Sequence, residues 1–303
     1  MINLAWINDF KVGELQGGNS VTSELFIKKG RKLGYNIEEI SHKDFSNHDL
    51  EKFDFFILNN INMFQADDIW KIINEKEFMK LEHDYCFCQY RNGNCPGCKI
   101  KCEPADIFKE LFANSKLNMF FSPLQLSIFK KFFGQTMRDA IVIPAPIERG
   151  KWYPDKIKQQ KNSYLYAGAL MSHKGIHQIL DFADTLKKGE VFHFAGRAYD
   201  KKVLERIKKD YVYLGVIPHN EMPALLRKYE NFVINPQMPE SFGLSVIEAM
   251  MSGCNIIKFQ KSHETGLESY GLSPGKMIDL CLEAPDNFWE EVKRVLPIKE
   301  MKL

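Results

Sequence analysis

The chain has 303 residues, of which 45% are hydrophobic and 26% charged, and its formal net charge is +2. That length is typical of two domains, and the composition is that of a soluble globular protein. The small net charge excludes a general electrostatic attraction to nucleic acid, and the longest apolar runs, such as 55–58 and 140–147, are too short to span a bilayer. Seven cysteines without an export signal predict a protein of the reducing cytoplasm.

In the first half of the chain, short apolar runs alternate with segments of helical periodicity, and this order predicts parallel sheets covered by helices. The N-terminal run lacks the basic start and the long apolar stretch of a signal peptide, so it is interpreted as the first strand. The predicted strands are 2–7, 36–40, 53–58, 81–87, 117–122 and 140–143. The predicted helices are 20–33, 65–75, 104–112 and 123–133.

Prolines 144, 146 and 154 predict a stiff connection between domains, after which the alternation restarts. The predicted strands are 163–167, 191–195, 212–214, 232–235 and 255–258. The predicted helices are 175–186, 201–209, 221–229, 245–251 and a final amphipathic helix over 285–296. Two Rossmann-like halves that face a cleft, with ligands at the carboxyl ends of the strands, are the simplest architecture for this order.

The most informative segment, 239–254, contains two glutamates eight residues apart. Glu240 lies in a loop with proline and glycine, and Glu248 lies in an Ala/Met-rich helix that Ser245 or a nearby polar group is placed to cap. The free N–H groups at the start of such a helix, beside Gly243, attract anions and phosphate above all. The segment therefore suggests a nucleotide-sugar pocket, although two glutamates at this separation also occur by chance.

Two further loops follow predicted strands and contain glycines. Lys174 stands at the start of a predicted helix, where the helix dipole repels it and a bound anion would relieve the repulsion. The alternative is a solvated surface lysine. Gly17 and Gly18 follow the first strand and allow the backbone to approach a ligand closely, although Gly-Gly is also an ordinary turn.

Together these segments resemble the retaining GT-B glycosyltransferases of family 4, the glycosyl transferases group 1. The positions that carry the resemblance are Gly17, Gly18, Gly168, Lys174, Gly175, Gly196 and the Glu240–Glu248 pair. The resemblance implies an α/β fold with two Rossmann-like domains that face a central cleft. Residues 1–148 would form an acceptor domain with a Cys-rich loop over 86–102, residues 149–284 would form a nucleotide-sugar domain, and a helix within 285–303 would pack back on the first domain.

The resemblance also implies the activity: transfer of a hexosyl or related group from a UDP- or GDP-linked sugar to a hydroxyl acceptor, without a catalytic metal. Glu248 would bind the ribose hydroxyls, Glu240 would contact the transferred sugar, and Lys174 would neutralise the leaving diphosphate. The backbone would contact the donor at Phe242, Gly243, Leu244 and Ser245, and the nucleobase at Val216 and Ile217.

His83 and the position after Gly168 differ from the positions above. His83 resembles a family position beside the sugar and the acceptor, where it could orient a hydroxyl or carry a proton, although a lone histidine is more often structural. Relatives often have an arginine after the glycine that corresponds to Gly168, and this chain has Ala169. Arg197 and His173 are candidates to take over the contact of that arginine with the diphosphate.

Five of the seven cysteines lie between positions 86 and 102. Cys95 and Cys98 form a Cys-x2-Cys pair, and with Cys88 and Cys102 they would make a structural zinc site; Cys86 could replace Cys88. An iron–sulfur cluster, free thiols and a labile disulfide are the alternatives.

Basic stretches at 28–32 and 128–133 are either solvated helix faces or contacts to an anionic acceptor, which could be a lipid carrier at the inner membrane face or a nucleic acid. The acceptor is accordingly a glycan, a lipid-linked molecule, a modified nucleic acid or another hydroxyl compound. A sugar-nucleotide epimerase of the same fold is a second hypothesis, and a weakly catalytic nucleotide-sugar-binding module, which Ala169 favours, is a third.

Overall fold

A computed structural model describes residues 2–15, 17–95, 102, 105–155 and 159–297. The chain forms two compact units. Unit 1 contains the residues up to Ile147 together with those from Asp279 on, and unit 2 is Glu148–Ile278. Both sheets are parallel throughout, which confirms the predicted α/β class. No helix in the described ranges is both long and apolar enough to cross a membrane.

Unit 1 has a six-stranded sheet with the strand order β2-β1-β3-β4-β5-β6. Its strands are β1 (Asn3–Ile7), β2 (Asn36–Ile40), β3 (Phe55–Leu58), β4 (Phe78–Glu82), β5 (Asn118–Phe120) and β6 (Ala140–Val142). Its first helices are α1 (Gly18–Lys32), α2 (Ala66–Glu75), α3 (Ala105–Asn114) and α4 (Pro123–Phe133). The start of α4 follows from local sequence, because the Ser122 side chain accepts a hydrogen bond from Gln125 N at 3.0 Å and Pro123 occupies the first turn.

Aromatic side chains fill the core of unit 1. Phe129 of α4 is fully buried, and its ring lies 5.0 Å from Phe87, 5.0 Å from Phe120 and 5.4 Å from Phe112. These separations are within the range in which aromatic pairs attract one another beyond simple burial. The cluster joins α4 and α3 to β5 and so fixes the helices on this side of the sheet.

The predicted strand over 81–87 is wrong, because β4 ends at Glu82 and the residues after it form turns. Lys80 and Glu82 are completely buried in β4, and Lys80 Nζ lies 3.0 Å from Glu82 Oε2. Lys80 also donates to the carbonyl oxygens of Asn59 at 2.8 Å and Leu81 at 2.9 Å. A charged pair buried inside the core is not visible in a hydrophobic pattern, so the pattern favoured the apolar segment after it.

Unit 2 has a five-stranded sheet with the order β11-β10-β7-β8-β9. Its strands are β7 (Gln160–Ala167), β8 (Val191–Ala195), β9 (Val212–Tyr213), β10 (Tyr229–Ile234) and β11 (Asn255–Lys258). Its helices are α5 (Ile176–Ala183), α6 (Lys201–Asp210), α7 (Met222–Leu226) and α8 (Leu244–Met251). Because the strands are parallel, the loops that follow them lie at one edge of the sheet.

At that edge, the loop after β7 approaches the loop after β8 very closely. Gly168 N donates to Ala195 O at 3.0 Å, and Leu170 N donates to Arg197 O at 2.9 Å. Gly196 has φ +127°, and a Cβ atom there would lie 1.8 Å from Gly168 O. Only glycine fits this position, since a side chain would meet both a disfavoured backbone angle and a backbone oxygen.

The last helix, α9 (Pro274–Val295), begins eleven residues before the predicted start at 285. Pro285 lies inside it, where a missing N–H removes a backbone hydrogen bond. The helix continues because Cys281, Ala284, Phe288 and Val292 form one fully buried stripe that runs past the proline. Burial of this stripe outweighs the preference of proline for the start of a helix, which is why the pattern placed the helix start at 285. Of the predicted C-terminal segment 285–303, the residues after 297 lie outside the described residues.

Trp289 joins α9 to α1 within unit 1. Its Nε1 donates to Phe26 O at 2.7 Å, and its ring stacks on Tyr35 with centroids 4.8 Å apart. Gly30 makes room for the indole, because a Cβ atom there would lie 2.1 Å from Trp289 Cζ2. Trp289 thus buries a large apolar surface while its indole N–H keeps a hydrogen-bond partner.

We predict that Trp289→Ala lowers the free energy of unfolding of unit 1 by about 3–5 kcal/mol, because it leaves a cavity where the buried indole packs. Chemical denaturation followed by circular dichroism measures the change. Trp70→Ala is the matched control in the same unit, since Trp70 is 38% exposed on α2, and its cost should be below about 1 kcal/mol. Equal losses in the two variants would contradict this account of α9.

A second prediction concerns the close approach of the two loops in unit 2. Gly189 also has positive φ, +99°, but a Cβ atom there would meet nothing within 4 Å. Gly189→Ala should therefore cost only the backbone strain, about 1–2 kcal/mol, whereas Gly196→Ala adds a backbone clash and should cost clearly more. Thermal unfolding of the two variants compares them directly, and an equal loss would show that the contact with Gly168 is not tight.

Candidate functional site

Three loops at the carboxyl edge of the unit 2 sheet carry most of the predicted site residues. They follow β7, β8 and β10, which are neighbours in the sheet with β7 in the centre. The loop after β7 contains Gly168 and Lys174, the loop after β8 contains Gly196 and Arg197, and the loop after β10 contains Glu240. Neighbouring parallel strands thus bring together residues that are far apart in the sequence.

An ion pair connects the loops after β7 and β10. Lys174 Nζ lies 2.5 Å from Glu240 Oε1, and the two side chains are 36% and 20% exposed. Lys174 ends a short 3-10 turn over Ser172–Lys174, directly before Gly175 and α5. Because both groups remain partly open to solvent, a ligand can reach the pair.

Backbone contacts hold the two partners of this ion pair in place. Gln237 N donates to His173 O at 2.8 Å, and Gly266 N donates to Glu240 O at 3.0 Å. Gly175 has φ +74°, and a Cβ atom there would lie 2.1 Å from Asn235 O. The lysine and the glutamate therefore project from loops that are fixed on both sides, which limits the freedom of the pair.

Helix α8 begins directly after the Glu240 loop, and Gly243 is its N-cap residue with φ +109°. The predicted capping role of Ser245 is wrong: the N-cap residue is Gly243, which has no side chain, and Ser245 is the second residue of α8. Glycine at this position needs no side-chain cap but leaves the first-turn N–H groups without one. Phe242 is buried and its carbonyl accepts a hydrogen bond from Leu267 N at 2.7 Å, so the start of α8, with Leu244 as its first residue, is rigidly placed.

Glu248 lies in α8 and is almost completely buried, with 6% of its side chain exposed. The pKa of Glu248 is raised, because the effect of burial outweighs the hydrogen bond from His219 and the charge of Lys151, which both lower it. His219 Nε2 lies 2.6 Å from Glu248 Oε1. Sequence reasoning missed His219 and Lys151, because neither belongs to a recognisable motif; the only signal was a histidine two residues after Ile217.

The remaining predicted contacts of unit 2 lie in loops at the same edge. Arg197 and Val216 are exposed, and Ile217 is partly exposed. The carbonyl of Ala169 accepts a hydrogen bond from the Tyr166 hydroxyl at 2.7 Å. Arg197 lies beside the loop that contains Ala169, since its carbonyl accepts from Leu170 N.

His83 belongs to unit 1, where it follows β4. Its Nε2 lies 3.0 Å from Asn59 Oδ1, and because Asn59 Nδ2 donates to Ile7 O at 3.2 Å, this oxygen accepts a hydrogen bond from His83 Nε2–H. Burial, and then the charge of Lys80, lower the pKa of His83 to about 3. The ring is therefore neutral near pH 7, with Nδ1 as its acceptor nitrogen.

Gly17 and Gly18 mark the start of α1 in unit 1, where Gly17 is the extended N-cap residue and both are exposed. The side chains of Asn8 and Asn19 exchange hydrogen bonds of 3.3 and 3.1 Å across this loop. The amide pair ties the end of β1 to the first turn of α1 and so fixes the place of the glycines.

The predicted cysteine ligands are only partly within the described residues, because Cys98 lies outside them. Among the residues that are described, including Cys88, Cys95 and Cys102, no group of three or more Cys, His, Asp or Glu side chains is arranged to hold a metal ion. Burial raises the pKa of the Cys86 thiol well above its ordinary value, and Glu82 and Asp84 raise it further. Cys86 is therefore a poor source of a thiolate ligand.

Comparison with known proteins connects the unit 2 site to a family. Residues 153–264 match the family described as Glycosyl transferases group 1, and this range contains every site residue from Gly168 to Glu248. Among proteins with curated functions, no sequence matches this chain.

Solved structures show the same fold at low sequence identity. Sucrose-phosphate synthase from Thermosynechococcus elongatus is 13% identical, with a TM-score of 0.69 over 98% of this chain and 95% of that one. Anabaena HepE is 13% identical, with a TM-score of 0.66 over 98% of this chain and 92% of that one. AviGT4, a glycosyltransferase involved in avilamycin A biosynthesis, is 13% identical, with a TM-score of 0.61 over 98% of both chains. The chain therefore has the fold of these GT-B glycosyltransferases, and its residues 153–264 match the glycosyl transferases group 1 domain.

Proposed function

We propose that this protein transfers a sugar from a nucleotide-sugar donor to a hydroxyl group of an acceptor and retains the anomeric configuration. The observation that carries the proposal is the Lys174–Glu240 ion pair, which stands directly before the uncapped start of α8. A cation and a helix N-terminus together attract a diphosphate, and the carboxylate beside them can accept hydrogen bonds from sugar hydroxyls. Arg197, beside the Ala169 loop, is the second candidate cation.

The donor that we propose carries UDP, with GDP as the alternative. HepE was solved with UDP and glucose and also with UDP-glucose, which supports a uridine nucleotide in this fold. Glu248 would accept hydrogen bonds from the ribose hydroxyls. Backbone groups of Phe242, Gly243, Leu244 and Ser245 would bind the sugar and the diphosphate, and those of Val216 and Ile217 would border the base.

The proposed reaction is a front-face substitution. The oxygen of the acceptor hydroxyl forms a bond to the anomeric carbon, while the bond from that carbon to the diphosphate oxygen breaks with its electron pair. The hydroxyl proton passes to a leaving phosphate oxygen, so no glutamate acts as nucleophile or base. Lys174 stabilises the negative charge that develops on the diphosphate.

His83 would orient a hydroxyl of the sugar or acceptor in this proposal. A histidine whose pKa is about 3 holds a proton in only a negligible fraction of molecules at pH 7. It therefore suits a hydrogen-bond acceptor better than a general base, because an efficient base has a pKa near the working pH.

The proposed acceptor is a hydroxyl of a glycan or a lipid-linked molecule, and the proposed location is the cytoplasm. The basic stretches at 28–32 and 128–133 would supply a peripheral contact to an anionic membrane surface. Exposed Phe132 follows Lys130 and Lys131 at the end of α4, a combination of apolar and basic groups that favours such a contact.

The test is a thermal-shift screen of UDP-, GDP- and ADP-sugars, followed by product analysis with hydroxyl acceptors. A donor should raise the melting temperature by mass action, and the product should keep the anomeric configuration of the donor. Conversion of the donor in the absence of acceptor would indicate an epimerase instead, and binding with neither hydrolysis nor transfer would indicate a binding module.

Within this assay, Lys174→Ala should lower the rate of transfer about 100-fold or more, because the charge of the leaving diphosphate is no longer neutralised. Steady-state kinetics of variants with unchanged circular dichroism measure the effect. Lys209→Ala, an exposed lysine at the end of α6, is the control and should retain normal turnover. Near-normal turnover in both Lys174→Ala and Glu248→Ala would overturn the site assignment.

We also propose, from the spacing of the cysteines, that Cys88, Cys95, Cys98 and Cys102 bind one structural zinc ion. Protein purified without chelator should contain about one zinc per chain by mass spectrometry. A Cys95→Ser/Cys98→Ser variant should lose it, whereas Cys254→Ser, which changes a buried thiol of unit 2, should keep it. Stoichiometric iron would indicate a cluster, and the absence of both metals would refute the proposal.

A further inference from the structure

Glu248 is an almost completely buried carboxylate, with 6% of its side chain exposed. Such a group is stable as an anion only if protein atoms hydrogen-bond it. His219 supplies that contact through Nε2, 2.6 Å from Glu248 Oε1. Within the described part of the chain, the carboxylate of Glu248 has no other hydrogen-bond partner in the protein, so its second oxygen remains available to a ligand.

Lys151 decides which nitrogen of His219 carries the proton. Its Nζ lies 3.4 Å from His219 Nδ1, and an ammonium group can only donate, so Nδ1 must accept. The proton of a neutral ring then resides on Nε2 and points to Glu248. Lys151 also lies 3.6 Å from Glu148 Oε2, which offsets part of its charge on the far side.

The position of the ring is also fixed. Trp152 is buried, with 4% exposed surface, and its ring lies 5.4 Å from that of His219 at an angle of 55°. The imidazole is thus packed on one side, bonded at both nitrogens and still 32% exposed at the surface of unit 2. A side chain that only filled space would need none of these polar contacts.

We infer that His219 and Lys151 are positioning residues for donor recognition: they hold the Glu248 carboxylate as an anion with one oxygen occupied and the other directed to the ribose hydroxyls. This inference rests on the proposed function. Recognition of the ribose hydroxyls then depends on three hydrogen-bonded residues, Lys151, His219 and Glu248, and not on Glu248 alone. A ligand without ribose hydroxyls would not benefit from the Lys151–His219–Glu248 contacts. The diphosphate contacts at Lys174 do not depend on these three residues.

The test measures how strongly the protein distinguishes a ribose from a dideoxyribose. Isothermal titration calorimetry gives the affinity of UDP, GDP and ADP and of their 2′,3′-dideoxy counterparts, which lack both hydroxyls. We expect at least one natural diphosphate to bind the wild type more tightly than its dideoxy form. In His219→Ala this ratio should fall about ten-fold, the usual effect of losing a hydrogen bond to a charged group, while the affinity for the dideoxy form stays nearly constant.

Two variants separate positioning from folding. His219→Gln retains an N–H near the place of Nε2, and it should keep most of the ribose preference. His193→Ala removes another unit 2 histidine, whose Nδ1 lies 2.5 Å from the Tyr229 hydroxyl. It should lower the melting temperature without changing the ratio.

The outcomes are distinct. An unchanged ratio in His219→Ala would overturn the inference while the proposed function stands, and so would a wild type that binds both forms equally. A parallel loss of affinity for both forms would show a structural role only and would also overturn it. If the wild type binds none of the three natural diphosphates, the proposed function fails and the inference fails with it.

Discussion

The ion pair between Lys174 and Glu240 joins the loops after two neighbouring parallel strands, and the candidate site of unit 2 is arranged around it. The pair forms because β7 and β10 lie side by side and send their loops to the same edge of the sheet. Gly175 lets the loop after β7 approach Asn235 at the end of β10, and Gly196 lets the loop after β8 approach Gly168, in each case more closely than a side chain permits. The charge pair and the close backbone packing depend on each other, since a displaced loop would separate the lysine from the glutamate.

Buried charges occur in both units. In unit 1, Lys80 and Glu82 are paired without any exposure to water, and in unit 2 Glu248 is paired with His219. Replacing such a pair with apolar residues is often neutral or stabilising, so a buried pair is weak evidence of a stabilising role. Glu82 directly precedes His83 in the chain, and Glu248 is itself a predicted site residue, so both pairs adjoin the predicted site.

The linear pattern predicted much of the fold. Alternating apolar runs located ten of the eleven strands in the described part of the chain, because strands in a parallel sheet are continuously apolar and bounded by turns. The exception, β4, contains a buried lysine and a buried glutamate, and its polarity misled the pattern. The start of α9 was missed for a related reason: Pro285 looks like a first-turn residue, and only the buried stripe from Cys281 to Val292 shows why the helix runs through it.

The amino-acid sequence by itself determined the α/β class, the restart of the pattern near residue 150 and the two glutamates of the Glu-x7-Glu segment, because these are local properties of spacing and composition. Only the tertiary structure decided the partners: Glu240 with Lys174, Glu248 with His219, and His83 with Asn59. Each partner is far away in the chain, and the order of strands in a sheet decides which loops meet. Burial, which governs the charge states of Glu248 and His83, likewise arises only when the sheets and helices are packed together.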